Sequence, residues 1–200
     1  MTIGKRIAAL SGFSSSINGA VMLAVLLLGL FSSGAPTPAI AQQAAASECT
    51  VSVEQAWLDD MVASAHVSGA CDAATIDLVV HDGVDEVVWS ASYASGDLFG
   101  FDEVVDVDTM QMALSDWLGD YVEITSSAGL PEWPQGADMP DAGEFPFYVE
   151  EGVSQSDYEQ LRAADYPMIC YIQGRESTLC LVRQPGINAL TSVGAQSFPG

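Results

Sequence analysis

Four cysteines are the feature that most constrains this chain, because they form two groups of near neighbours in the sequence. Cys49 and Cys71 make one group, and Cys170 and Cys180 make the other. Four cysteines allow three pairings, and no CxxC spacing is present. Sequence proximity favours disulfides Cys49–Cys71 and Cys170–Cys180. The first of these requires the chain at Cys49 to lie against the segment that returns to Cys71.

The N-terminal 41 residues have the pattern of a signal peptide. They contain no Asp or Glu, and Lys5 and Arg6 precede an apolar block at residues 20–31 that is short for a bilayer span. Small residues at Ala39 and Ala41 predict cleavage before Gln42. An uncleaved N-terminal anchor is the alternative. Export predicts a periplasmic or secreted protein, whose cysteines tend to form disulfides in an oxidising compartment.

Charge restricts the partners that the exported part could bind. All 27 acidic residues follow residue 41, where the only cations besides histidine are Arg162, Arg175 and Arg183, so the formal charge there is −24. Such a field repels phosphate backbones and anionic lipids, which argues against nucleic-acid binding and, after signal cleavage, against membrane binding. A charged partner should therefore be cationic, either a basic protein or divalent ions. The competing interpretation is that the carboxylates form a solvated coat.

Three segments predict helices. Residues 52–69 follow a capping pattern, and Val53, Trp57, Met61 and Ala65 recur at every fourth position. Residues 108–121 repeat apolar side chains at helical spacing after a possible cap at Asp108. A third, short helix is expected between Ser156 and Pro167.

Two segments predict β-hairpins. Residues 74–93 alternate around Asp82-Gly83, which is a strong turn signal, and should present one face made of Ile76, Leu78, Val80, Val87, Trp89, Ala91 and Tyr93. Residues 166–182 are apolar on both faces, as is typical of central strands. We therefore expect a flexible leader at residues 42–47 and one α+β domain at residues 48–200, with an antiparallel sheet of hairpins covered by two or three helices.

The hairpin around Arg175 allows two turn geometries. A direct Cys170–Cys180 bond needs an odd loop centred on Arg175, whereas a two-residue turn at Gly174-Arg175 would put the cysteines on opposite faces. In the first geometry Arg175 is at the tip of a closed loop and is a candidate for binding an acidic partner or an arginine-preferring protease. The alternative is an ordinary solvent-exposed side chain.

A long segment without regular structure is expected at residues 129–152, which contain four prolines and four glycines. It carries the aromatic side chains Trp133, Phe145, Phe147 and Tyr148. These aromatics either pin the loop to the core or form a partner-binding surface rimmed by carboxylates.

Motifs for catalysis or metal binding are weak. His66 and His81 have no HExxH-like spacing, no GxSxG elbow is present, and the acidic run from Asp106 fails the calcium-loop template at Met110 and Trp117. We assign no catalytic residue, metal ligand or cofactor. The sequence favours a non-enzymatic binding module that binds or inhibits a cationic protein; the alternative is a small hydrolase that uses carboxylates or His81.

Overall fold

The computed structural model describes residues 48–198, which form nine strands and two helices. The predicted signal peptide and leader lie outside the described residues. In chain order, the elements are β1 (Ser52–Ala56), β2 (Val62–Ser68), β3 (Thr75–His81), β4 (Val87–Ala94), α1 (Val107–Leu118), β5 (Glu123–Ser126), β6 (Phe147–Val149), α2 (Gln155–Ala164), β7 (Pro167–Ile172), β8 (Ser177–Arg183) and β9 (Leu190–Ser197). They build two antiparallel sheets, β1-β2-β3-β4 and β5-β7-β8-β9-β6, so the fold is α+β.

The first predicted helix is wrong, because residues 52–68 form the β1–β2 hairpin. The chain reverses over residues 58–61, where the Trp57 N–H donates to the Met61 carbonyl and Asp59 has a φ of 47°. Val53 lies directly opposite Ala65. A spacing of four is even, so residues that repeat at this interval share one face of a strand as well as one face of a helix.

The first disulfide fixes the entry to this hairpin. Cys49 bonds Cys71, and both side chains are buried. The Cys49 N–H donates to the Gly69 carbonyl at 2.8 Å, so the chain at Cys49 lies against the returning segment, as this pairing requires.

The hairpin predicted at residues 74–93 is present as β3–β4. Ile76 pairs with Tyr93, Leu78 with Ala91, and Val80 with Trp89, so these six side chains share the expected face. The turn is longer than Asp82-Gly83 alone, because the Asp82 carboxylate accepts from the N–H groups of Val84 and Glu86. An irregularity after Val80 places Val87 opposite His81 and leaves its side chain exposed.

The strands β7 and β8 are central in the second sheet, as apolar side chains on both faces predict. Ile172 pairs with Thr178, so the register is centred on Arg175, and Cys170 lies directly opposite Cys180, to which it is bonded. The odd loop is therefore the observed geometry and the two-residue turn is not.

The main core lies between the two sheets, whereas the sequence predicts one sheet with helices over it. Tyr171 of β7 reaches β4, where its hydroxyl accepts from Trp89 Nε1 at 3.0 Å and shares a 2.7 Å hydrogen bond with the Tyr93 hydroxyl. Trp117 of α1 belongs to the same core and donates to the Ile172 carbonyl. A second cluster on the other face of β7 and β8 includes Tyr158 of α2.

Both predicted helices after residue 100 are present, but they begin earlier than expected. Asp106, and not Asp108, caps α1 through a capping box with Thr109. These hydrogen bonds, the backbone one first, lower the pKa of the Asp106 carboxyl. Ser154 caps α2, which ends at Asp165 in a left-handed conformation. Among residues 48–198, no helix is long and apolar enough to cross a membrane.

Candidate functional site

A groove of about 440 Å³ lies on the outer face of the second sheet, and we call it the disulfide groove. Two rows of paired residues cross it. Glu123, Cys170 and Cys180 form one row, and Ile172, Thr178 and Gln196 form the other. The disulfide Cys170–Cys180 therefore belongs to the groove wall, although both cysteines are nearly inaccessible.

The groove exists because the second cluster fills only part of this face. That cluster is made of Leu130, Phe147, Tyr158, Met168, Cys170, Cys180, Val182 and Val193. Towards the β7–β8 turn, no helix residue in the described part of the chain lines this outer face, and the groove lies there. Its volume falls within the range of ligand sites in proteins.

Aromatic rings form the rim of the disulfide groove. Tyr121, Phe145 and Phe198 line it, and Phe99 packs edge-on against both Tyr121 and Phe198 with ring centroids 5.6 and 5.7 Å apart. Edge-to-face packing is a favourable aromatic geometry, so Phe99 holds two rim rings in place. Tyr121 also packs over Gly100, where an added Cβ would come within 3.1 Å of its ring.

Arg175 holds the loop beside this rim instead of projecting freely. Its guanidinium donates to the Asp102 carboxylate at 2.7 Å and to the Gly96 carbonyl at 2.9 Å. The flanking residues also contact the rim, since the Phe99 N–H donates to the Gly174 carbonyl and the Phe198 N–H to the Glu176 carbonyl. Arg175 is half exposed but already paired, so insertion into a protease pocket would break both contacts.

Two carboxylates, Asp120 and Glu123, give the disulfide groove its charge. Neither carboxylate makes a hydrogen bond or ion pair with another residue among 48–198, and none of the groove's lining residues is basic. Glu123 lies opposite Cys170, on the groove face of β5. The groove combines negative charge with aromatic surface, a combination that suits organic cations.

The predicted aromatic loop divides between the core and the surface. Phe147 is buried in the second cluster. Trp133 is half-buried against Tyr158 with ring centroids 5.5 Å apart, and its Nε1 donates to the Ala137 carbonyl. Tyr148 is 55% exposed. Trp133 and Tyr148 line a smaller cavity of about 240 Å³, while Phe145 lines the disulfide groove, so the four aromatics do not form one site.

A row of polar side chains crosses the outer face of the first sheet. Ser52, His66, Asp77 and Ser92 occupy directly opposite positions on β1, β2, β3 and β4. The Ser52 hydroxyl lies 2.7 Å from His66 Nδ1, and the Ser92 hydroxyl donates to Asp77 at 2.6 Å. No His66–Asp77 ion pair is found among the described residues. The helix predicted at residues 52–69 could not align these side chains, so Ser52 and His66 could not be connected before the hairpin was known.

His81, the histidine named as a candidate base, lies at the end of β3 opposite Val62 and Val87. No hydroxyl or carboxylate partner contacts its ring among residues 48–198. In the same part of the chain, no three His, Cys, Asp or Glu side chains are placed to hold a metal ion.

Within the described residues, the protein has two sheets in an α+β fold, an aromatic and acidic groove on the second sheet, and an acidic surface. Comparison with protein-family models, with curated proteins and with solved structures finds no match to this chain.

Proposed function

We propose that the protein is a non-enzymatic binding module that binds a cationic protein in the periplasm or outside the cell. The observation that carries the proposal is the uncompensated charge of the surface. Only Glu159 and Asp102 form ion pairs with arginine among the described residues, which leaves 25 of the 27 carboxylates without one. No acidic side chain among residues 48–198 is buried. A field of this size speeds association with cations and repels anions.

The two disulfides support placing this function in an oxidising compartment. Both link residues within one sheet or its flanking turn and leave no free cysteine in the described residues. Disulfides persist in the periplasm and outside cells and are rare in the cytosol. The signal-peptide pattern of the first 41 residues supports the same location.

A capture experiment tests the proposal. The purified exported protein is immobilised and exposed to the producing cell's own exported proteins at about 0.1 M NaCl, where the Debye length is about 10 Å, and at about 1 M, where it is about 3 Å. We expect a small set of basic proteins to be retained at the lower salt concentration and released at the higher one. An immobilised acidic protein of equal charge and unrelated fold controls for simple ion exchange. If both columns retain the same proteins, the proposal is wrong.

A second candidate function, hydrolysis, is favoured by the Ser52–His66 contact. A histidine nitrogen 2.7 Å from a serine hydroxyl is the pairing by which a general base activates a nucleophile. This candidate replaces His81 by His66 as the base. The site lies on an exposed sheet face, and among the described residues His66 and Asp77 are neighbours without the ion pair that would orient the base.

A fluorophosphonate probe tests the hydrolase candidate. Activated serines react with such probes, so labelling of the exported protein that disappears in Ser52→Ala and falls strongly in His66→Ala would support it. Ser90 lies on β4, on the same face of the sheet as His66, so Ser90→Ala is the matched control and should not change the labelling. Absence of labelling in the unchanged protein would reject hydrolysis by this pair.

A further inference from the structure

We infer that the disulfide groove binds the side chain of an arginine or lysine that the cationic partner presents next to an apolar residue. The inference rests on the proposed function and names the part of the molecule that would select the partner. It follows from the shape, the charge and the support of the groove.

The size of the groove selects the size of the ligand. A volume of about 440 Å³ is enough for one long side chain and part of a neighbour, but not for a folded domain. The groove opens on the face that α2 and the second cluster leave free, so a protruding loop of a partner could reach it.

The chemistry of the walls selects the ligand class. Asp120 and Glu123 can accept hydrogen bonds, and no described residue uses their carboxylates. Tyr121, Phe145 and Phe198 offer ring faces and edges to a hydrocarbon stem or a guanidinium. A carboxylate ligand would meet the same two acids and be repelled.

The rim is held in place before any ligand arrives. Phe99 packs against Tyr121 and Phe198, and the Arg175 loop fixes the backbone of Phe99 and Phe198 through Gly174 and Glu176. The covalent bond Cys170–Cys180 ties the two strands below them. A preorganised site loses little conformational entropy on binding, so even a short ligand should be detected.

The test uses a short peptide as the probe. Acetylated and amidated Leu-Arg-Leu is titrated into the ¹⁵N-labelled exported protein at low salt, together with Leu-citrulline-Leu, which has the same shape without the charge. Acetyl-arginine methylamide, which lacks the apolar neighbours, is a third probe. We expect shifts confined to amides of the groove, and about tenfold weaker binding of the other two probes.

Matched variants show whether the two carboxylates bind the cation. Asp120→Asn with Glu123→Gln should weaken binding of Leu-Arg-Leu by about tenfold. The control, Asp72→Asn with Glu151→Gln, changes the formal charge equally at exposed positions outside the groove and should leave binding within about twofold. Unchanged amide spectra away from the groove establish that each variant is folded.

Several outcomes would overturn the inference. Three outcomes would each show that the groove does not select a cationic side chain: absence of binding, equal binding of the citrulline peptide, or equal loss of affinity in both double variants. Equal binding of acetyl-arginine methylamide would show that the groove takes a free organic cation and not a partner's side chain. If the groove variant still captures basic proteins from the exported fraction, the groove inference fails while the proposed function stands. Loss of capture in that variant but not in the control supports both.

Discussion

At the level of single residues, the hydroxyl of Tyr171 links the two sheets. It accepts from Trp89 and shares a hydrogen bond with Tyr93. Tyr171→Phe would leave the Trp89 N–H without this partner in a partly buried position, so we expect a loss of about 1–3 kcal/mol in the free energy of unfolding. Urea unfolding measures the loss. Tyr148→Phe, which removes an exposed hydroxyl, should change stability little.

The ionisation of Tyr171 should make the folded protein less stable at high pH. Burial, and secondarily Tyr93, raises the pKa of Tyr171 above the ordinary value of about 10; burial also raises the pKa of Tyr93. Because the folded state holds the neutral phenol, the stabilisation is complete below pH 10 and is lost as the pH rises above it. Urea midpoints measured from pH 8 to about 11 should therefore fall, and less steeply in Tyr171→Phe. Parallel curves would contradict this expectation.

Gly194 marks a close approach between β9 and β6. A Cβ at this position would lie 2.4 Å from the Tyr148 carbonyl oxygen and 2.7 Å from the Phe147 ring. Gly194→Ala should therefore push β6 from the sheet and cost about 1–3 kcal/mol of unfolding free energy. The matched control is Gly96→Ala, because no heavy atom lies within 4 Å of its added Cβ. Equal thermal midpoints for both variants would show that β6 can shift to make room for the Cβ without a loss of stability.

At the level of elements, the two disulfides should contribute different amounts to the free energy of unfolding. Cys49–Cys71 closes a separation of 22 residues and Cys170–Cys180 one of 10. Loop-closure entropy gives about 3.4 kcal/mol for the first and about 2.7 kcal/mol for the second. Urea unfolding of Cys49→Ala/Cys71→Ala and of Cys170→Ala/Cys180→Ala measures both losses. A larger loss for the second pair would show that packing beside the groove, and not chain entropy, dominates.

The sequence predicted the elements whose signals have a single structural meaning. The apolar strands around Cys170 and Cys180, the turn after His81 and the pairing of the cysteines all agree with the structure. The helix predicted at residues 52–69 does not agree with the structure. A hairpin symmetric about Asp59 places apolar side chains four positions apart on one face, as a helix does, so the repeat fits both structures; it is formed by Val53, Trp57, Met61 and Ala65. The requirement that Cys49 meet a returning chain, which the Cys49–Gly69 hydrogen bond satisfies, fits the hairpin better than a helix over residues 52–69.

The candidate groove could be predicted only in pieces. Phe145, Cys170 and Cys180 were candidates from composition and spacing, and all three line the groove. Asp120, Tyr121 and Phe198 were not, because their positions depend on how β5 and β9 flank the central strands. Arg175 was a candidate because cations are rare in this part of the chain. Its role depends on Asp102, which lies 73 positions away in the sequence. Contacts of this length are set by tertiary structure and leave no local pattern.

At the level of the whole molecule, the net charge should make stability depend on salt. Residues 42–200 carry a formal charge of −24 and their carboxylates reach solvent, so compact folding brings like charges together. Raising NaCl from about 0.01 M to about 1 M shortens the Debye length from about 30 Å to about 3 Å. We expect the thermal midpoint to rise markedly over this range.

A charge variant separates this repulsion from general effects of salt. Coulomb self-energy grows roughly as the square of the net charge, so a change from −24 to −20 should remove about 30% of the salt effect. Exposed side chains without hydrogen bonds to described residues provide the variant: Glu103→Gln, Glu132→Gln, Glu144→Gln and Glu151→Gln. Its midpoint should be higher than that of the unchanged protein at low salt and similar at high salt, since screening removes the difference. Identical salt dependence in both proteins would mean that the carboxylates are too well solvated to repel one another, and that the anionic surface has no stability cost for a cationic partner to relieve.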